Sequence, residues 1–152
     1  VRKPIAIELS IYLYLLACAV PALVFSDSYE PQRPPICWVG VQALIFGMLS
    51  LQTWQFAPLA NISYLVSLVA LGKFGGRKTA HYASALACLV ALDTFALYFH
   101  TIPYFSPFWL GSNCAKMALK YPGIGFYFWI GSMLVIFFAS GPDRKKNQSG
   151  QK

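Results

Sequence analysis

Acidic residues are scarce in this sequence, five among 152 positions against twelve Lys and Arg, and only two histidines accompany them. Charged residues of both signs make up 11% of the chain, about half the usual soluble share, while 57% is apolar or aromatic. So few charges do not keep a globule of this size dispersed in water, which points to a membrane protein. The formal charge of +7 does not indicate a nucleic-acid ligand. Its basic residues are divided among the N-terminus, one short loop and the tail, without the aromatic-interleaved stripe of a nucleic-acid footprint.

Missing motifs exclude several chemistries. None of the four cysteines forms a Cys-x-x-Cys pair, which argues against quinone-linked thiol oxidases. There is no Ser-His-Asp grouping, no zinc-ligand spacing and no phosphate loop; Gly72-Lys-Phe-Gly-Gly-Arg77 is a short basic turn. His81 and His100 are 19 residues apart on one expected helix, about 28 Å by helical rise, so one protomer cannot bring both to a haem or a metal. No enzyme activity, cofactor or metal is expected.

Long apolar runs are what the chain does have. Residues 5–25 follow Arg2 and Lys3 and precede a Pro-rich polar loop, and they read as a first spanning helix rather than a cleaved signal, because Glu8 interrupts the apolar region. Residues 36–72 carry no full charge over 37 positions, about 55 Å if helical, too long for one straight crossing. Further runs occupy 79–100 and 123–140. Charge counting favours one net crossing in the long run, because this keeps Lys73, Arg77, Lys78 and the basic tail on the side of the N-terminus. Pro58 supplies the break. The crossing then lies within 53–72, and residues 37–56 form an interfacial or re-entrant segment; one long helix kinked near Pro58 is the alternative.

The expected fold is therefore all-α: a polytopic integral membrane protein with four transmembrane helices and an extra interfacial or re-entrant segment before the second. Residues 1–141 form a single bundle, 142–152 a disordered basic tail, and both termini face the cytoplasm, consistent with a bacterial inner membrane. The aromatic-rich loop 101–122 reads as a belt on the outer headgroups, with Ser112 capping a short helix over 113–120.

Asp93 is the sharpest chemical clue. An ionised carboxylate in hydrocarbon costs roughly 2.5–3.5 kcal/mol even on lenient scales, so it marks a protonation, pairing or packing site. At 100° per residue it shares a stripe with His100 and, nearly, with Tyr82. That line suits a proton relay or a counter-ion to a cation; equally, Asp93 could bond to a neighbouring helix, with Asn61, Ser63, Gln52, Gln55 and Thr94 as partners. Ala83, Ala87 and Ala91 recur every four residues, as do Ala80, Ser84 and Cys88, and such small residues let another helix approach closely. The helix of 79–100 is expected to pack on two faces at the centre of the bundle. Cys37 and Cys114, both on the expected outer side, are the one pair that topology permits as a disulfide.

Ala60-Asn61 entering an apolar helix and Phe126-Tyr-Phe-Trp-Ile-Gly-Ser132 near the end resemble small uncharacterised bacterial four-span membrane proteins over residues 47–138, which implies no known activity. The function expected first is association: an accessory subunit or assembly factor of a membrane complex, whose partners are the lipid bilayer and other membrane subunits or a second copy of itself. A proton- or cation-coupled transporter using Asp93 is the alternative, and an immunity protein against a membrane-active toxin the next.

Overall fold

In the computed structural model, residues 3–27, 35–47, 56–72, 76–99, 102–103 and 116–141 are described. The chain is mostly helical, with a small sheet at one end. Its elements run α1 (Lys3–Ala19), β1 (Pro21–Asp27), β2 (Ile36–Val39), α2 (Gly40–Gly47), α3 (Leu59–Gly72), α4 (Arg77–Ala91) continuing as a 3₁₀ segment (Leu92–Tyr98), β3 (Ile102–Pro103), β4 (Lys116–Pro122) and α5 (Ile124–Ser140).

The sheet corrects the all-α expectation. The first apolar run does not continue as helix to residue 25, because Pro21 lacks an N–H and disfavours helical geometry at Val20. Beyond it, Leu23-Val24-Phe25 suits a strand, and β1 becomes an inner member of an antiparallel sheet with strand order β2-β1-β4-β3. Val24 pairs with Cys37 on one side and with Tyr121 on the other. The short helix expected over 113–120 is likewise replaced, within the described residues, by β4. Pairing with β1 overrides the helical propensity of Met117-Ala-Leu-Lys120, and period-two alternation buries Leu119 while exposing Lys120.

Glycines fasten this sheet to the helices. The Gly40 N–H donates to the Val20 carbonyl at 3.0 Å and the Gly123 N–H to the Ala22 carbonyl at 2.8 Å. A Cβ on Gly40 would collide with the Ala17 carbonyl, and one on Gly123 with that of Pro21. Gly125 lies just below, where a Cβ would stand 3.0 Å from the carbonyls of Ala17, Val20 and Pro21. The end of α1 is thus enclosed by backbone with no room for side chains.

Other boundaries follow the sequence closely. Helix α3 starts directly after Pro58, as expected, through a turn in which the Leu59 N–H donates to the Phe56 carbonyl at 2.9 Å. The segment before it is not simply interfacial helix, since it contains β2 and the eight-residue α2. Gln42 Oε1 accepts from the Val39 N–H at 3.2 Å and satisfies one of the donors that α2 leaves open.

The long helices form a ring in which α4 packs on α3 and α5, and α5 on α1 and α4. Helix α4 does pack on two faces, but α5 shares that arrangement, so neither is uniquely central. Only one helix among the described residues, Arg77–Tyr98 with 22 residues, is long and apolar enough to cross a membrane, and 33% of its most apolar window is buried within the protein. The others are apolar but shorter: α1 and α5 have 17 residues each and α3 has 14, about 25 and 21 Å by helical rise. Hydropathy alone counted four full spans, whereas Pro21–Asp27 takes the end of the first run into a strand and α5, which fills the last run from Ile124 to Ser140, has 17 residues.

Candidate functional site

Two layers of hydrogen bonds tie α1, α3 and α5 together. In the first, Ser10 Oγ donates to the Ser132 carbonyl at 2.7 Å, and Tyr64 Oη lies 2.7 Å from the same Oγ. The single hydroxyl proton of Ser10 is committed to Ser132, so Tyr64 is the donor to Ser10. In the second, Asn61 Oδ1 accepts from Tyr14 Oη at 3.1 Å and from Trp129 Nε1 at 2.8 Å. Asn61 Nδ2 donates to the Pro58 carbonyl at 3.3 Å, and the rings of Tyr14 and Tyr64 stack between the layers with centroids 5.0 Å apart.

The layers reveal the helix directions. Moving from Ser10 to Tyr14 advances along α1, while the matching steps from Tyr64 to Asn61 and from Ser132 to Trp129 go backwards along α3 and α5. Helix α1 is therefore antiparallel to both. His81 near the start of α4 reaches the end of α5, with Nδ1 3.2 Å from the Phe137 carbonyl and its ring stacked on Phe137 at 4.3 Å. The end of α3, the start of α4, the N-terminal end of α1 and the C-terminal end of α5 thus share one end of the bundle, and the sheet occupies the other.

Asp93 is held by the backbone of a neighbouring segment. It sits half-buried in the first turn of the 3₁₀ segment, and its Oδ2 accepts from the Phe56 N–H at 2.6 Å. Phe56 opens the turn that starts α3, so the carboxylate ties the far end of the α4 span to the N-terminus of α3, where a negative charge is favoured. Of the side chains considered as its partners, Asn61, Ser63 and Thr94 do not take that place. Tyr82, expected on the same stripe, is 72% exposed on the outside of α4. His100 lies outside the described residues, as do Gln52, Gln55, Cys114, Ser112, the aromatic loop residues 104–109 and the tail 142–152. Cys37 is an exposed free thiol. Asn61, named only as an Asp93 partner, instead holds the second polar layer.

The small-residue seam is real but rotated. Ala80, Ser84, Ala87 and Ala91 are the buried residues of α4, while Ala83 and Cys88 are only partly covered. The buried line alternates steps of four and three, which follows the helical period better than a strict repeat of four. Ser67, Ser84, Ser132 and Ser140 each donate to the backbone carbonyl three residues earlier, at 2.6–3.0 Å. Their hydroxyls are paired inside their own helices, so a close, partly polar helix contact carries no desolvation debt.

A partly open cavity of about 100 Å³ lies between the second polar layer and the sheet. Phe25, Leu23 and Trp38 wall it from the sheet, Phe126 and Trp129 from α5, and Leu97 and Thr94 from the 3₁₀ segment. Tyr14 and Asn61 close one end. Among the described residues no charged side chain lines it, and no group of three or more metal-ligating side chains occurs.

Sequence reasoning missed Ser10, Tyr14, Tyr64, Trp129 and Ser132. Their signal was present as hydrogen-bonding side chains one turn apart in three different apolar runs, and it was overshadowed by the single full charge. Comparison of the chain with protein-family models, with curated proteins and with solved structures finds no match, so the arrangement of these residues must itself carry the functional reading.

Proposed function

We propose that this protein is a small integral membrane protein that works by association, as an accessory subunit or assembly factor of a membrane complex. It lies in the bilayer as four helices with both termini on the cytoplasmic side. The observation that carries this reading is the inverted distribution of side chains in the bundle. Inside are alanines and paired serines around Tyr64, Met133 and Ile136, while Leu15, Leu65, Leu86, Leu89 and Phe138 point outward, Leu89 being 67% exposed. Lipid accepts such an exterior, and helices in lipid associate through small residues and hydrogen bonds as seen here. The shorter helices fit by local thinning of the bilayer. The end of the bundle that carries Arg77 and Lys78 is the cytoplasmic one by the positive-inside rule.

The transporter reading is weaker. Asp93 is engaged by the Phe56 N–H, and Tyr82 faces away from the interior. Under the association reading Asp93→Asn leaves function intact, because the amide oxygen still accepts from Phe56.

Two measurements test the proposal. Alkaline carbonate extraction is expected to leave the protein in the membrane pellet, and release into the supernatant overturns the membrane assignment. Native mass spectrometry from mild detergent is expected to show a stoichiometric complex, with other subunits or with a second copy. A lone monomer at every detergent strength overturns association.

A further inference from the structure

The cavity beneath the sheet contains a polar atom that the protein leaves unused. Thr94 is 4% exposed and lines the cavity, yet among the described residues its hydroxyl has no hydrogen-bond partner. Buried hydroxyls are almost always paired, and helical threonines commonly back-bond to a carbonyl in the preceding turn. The four serines with such bonds show that this bundle follows the rule elsewhere. Thr94 makes no such bond, and the residue lines the cavity.

We infer that this cavity is a binding site for an uncharged amphiphile, one whose head is a single hydroxyl or carbonyl on a ring or short chain, with Thr94 as its hydrogen-bond partner. Size, shape and charge converge on that class. The volume of about 100 Å³ suits one ring or a short alkyl segment, since an apolar cavity of roughly 150 Å³ takes up benzene. The walls are ring faces and edges, with Phe25 against Trp38 at 4.9 Å and Phe126 beside Trp129 at 5.9 Å. Among the described residues no charged side chain lines it, so none of them pairs with an ionised head, and an uncharged one is favoured. The strongest donors nearby are already engaged within the protein. The proton of Tyr14 and the N–H of Trp129 are both given to Asn61, so Tyr14 offers only its lone pairs. The site is defined by the cavity and Thr94, and it holds whether or not the protein associates with other subunits.

Para-bromobenzyl alcohol and para-bromotoluene test this inference, because they differ in the hydroxyl alone and bromine quenches tryptophan on contact. The full chain carrying Trp54→Phe and Trp109→Phe reports from the two cavity tryptophans, Trp38 and Trp129. Saturable quenching by the alcohol is expected. Thr94→Val should weaken alcohol binding about five-fold, the size of one neutral hydrogen bond, and leave bromotoluene binding unchanged. Thr94→Ser keeps the hydroxyl and should restore the alcohol affinity. Ala43→Phe, which fills the cavity from α2, should remove the saturable component for both probes, with far-UV circular dichroism verifying the fold. Quenching that rises linearly without saturation, or equal alcohol affinity in the wild type and Thr94→Val, would overturn it.

Discussion

The two ends of this molecule are built on opposite rules. In the sheet end, large apolar side chains lie inside, with Phe25, Leu97 and Leu119 buried together against Leu23, Ile36 and Trp38. Among the strand residues of 21–27, 36–39 and 118–122, Tyr121 is a large hydrophobic that is well exposed. In the helical end the order is reversed: residues as small as Ala6, Ser10, Ala80 and Ser132 are fully buried, and the larger side chains cover the outside. Apolar burial drives the first arrangement in water. Under the proposed membrane reading it offers little to the helices, and close backbone approach and internal hydrogen bonds hold the bundle together instead. The contrast teaches that one chain packs by two rules, with the glycine-lined end of α1 as the joint.

That contrast can be broken at the joint first. Gly40→Val forces a branched side chain into the Ala17 carbonyl, where rigid backbone cannot yield, and should cost about 3 kcal/mol or more. Thermal unfolding is expected to show severe loss of folded protein, and a melting temperature equal to wild type would show that the joint is looser than the structure requires.

The exterior of the bundle offers a sharper comparison. Leu89→Lys should destabilise the inserted protein by about 2.5 kcal/mol if α4 faces hydrocarbon. Tyr121→Lys on the sheet should stay within about 0.5 kcal/mol, as for other surface changes. Equal, small effects in glycosylation-based insertion and thermal assays would place both surfaces in water.

Inside the bundle, Asn61→Leu strands the Trp129 N–H and the Tyr14 hydroxyl and should cost about 2 kcal/mol. Denaturation in detergent micelles measures it, and a neutral result would mean that the second polar layer contributes nothing to holding α1, α3 and α5. Ala87→Leu overfills the α4 seam and should cost about 1–2 kcal/mol, whereas Leu86→Ala beside it, on the outer face, should cost less in the same assay. The smallest effect is expected from Asp93→Asn, under about 1 kcal/mol, because the acceptor oxygen facing Phe56 is retained. Asp93→Ala should be distinctly worse, and identical behaviour of the two would remove the structural role assigned to the carboxylate.

Much of the helical part was legible in the sequence. Pro58 marked the start of α3, Gly123 preceded α5, and the alanine spacing identified α4 as a packing helix, because breakers and periodicity act through neighbours in the chain. The sheet was not legible. Residues 21–27 and 116–122 are apolar enough to pass for helix, and only pairing between segments some ninety positions apart makes them strands. Asp93 drew attention as a lone charge, yet its partner proved to be a backbone N–H at Phe56, a donor that no side-chain motif can announce.

By itself the sequence determined composition, the order of apolar runs and their breaks, since each depends on side chains read in order along the chain. Only the tertiary structure decided which polar side chains meet. Ser10 with Tyr64, Tyr14 with Asn61 and Trp129, and Thr94 facing a cavity all depend on how far each helix is rotated and shifted against its neighbours. Those rotations are settled by packing among α1, α3, α4 and α5 together, a property that no one segment contains.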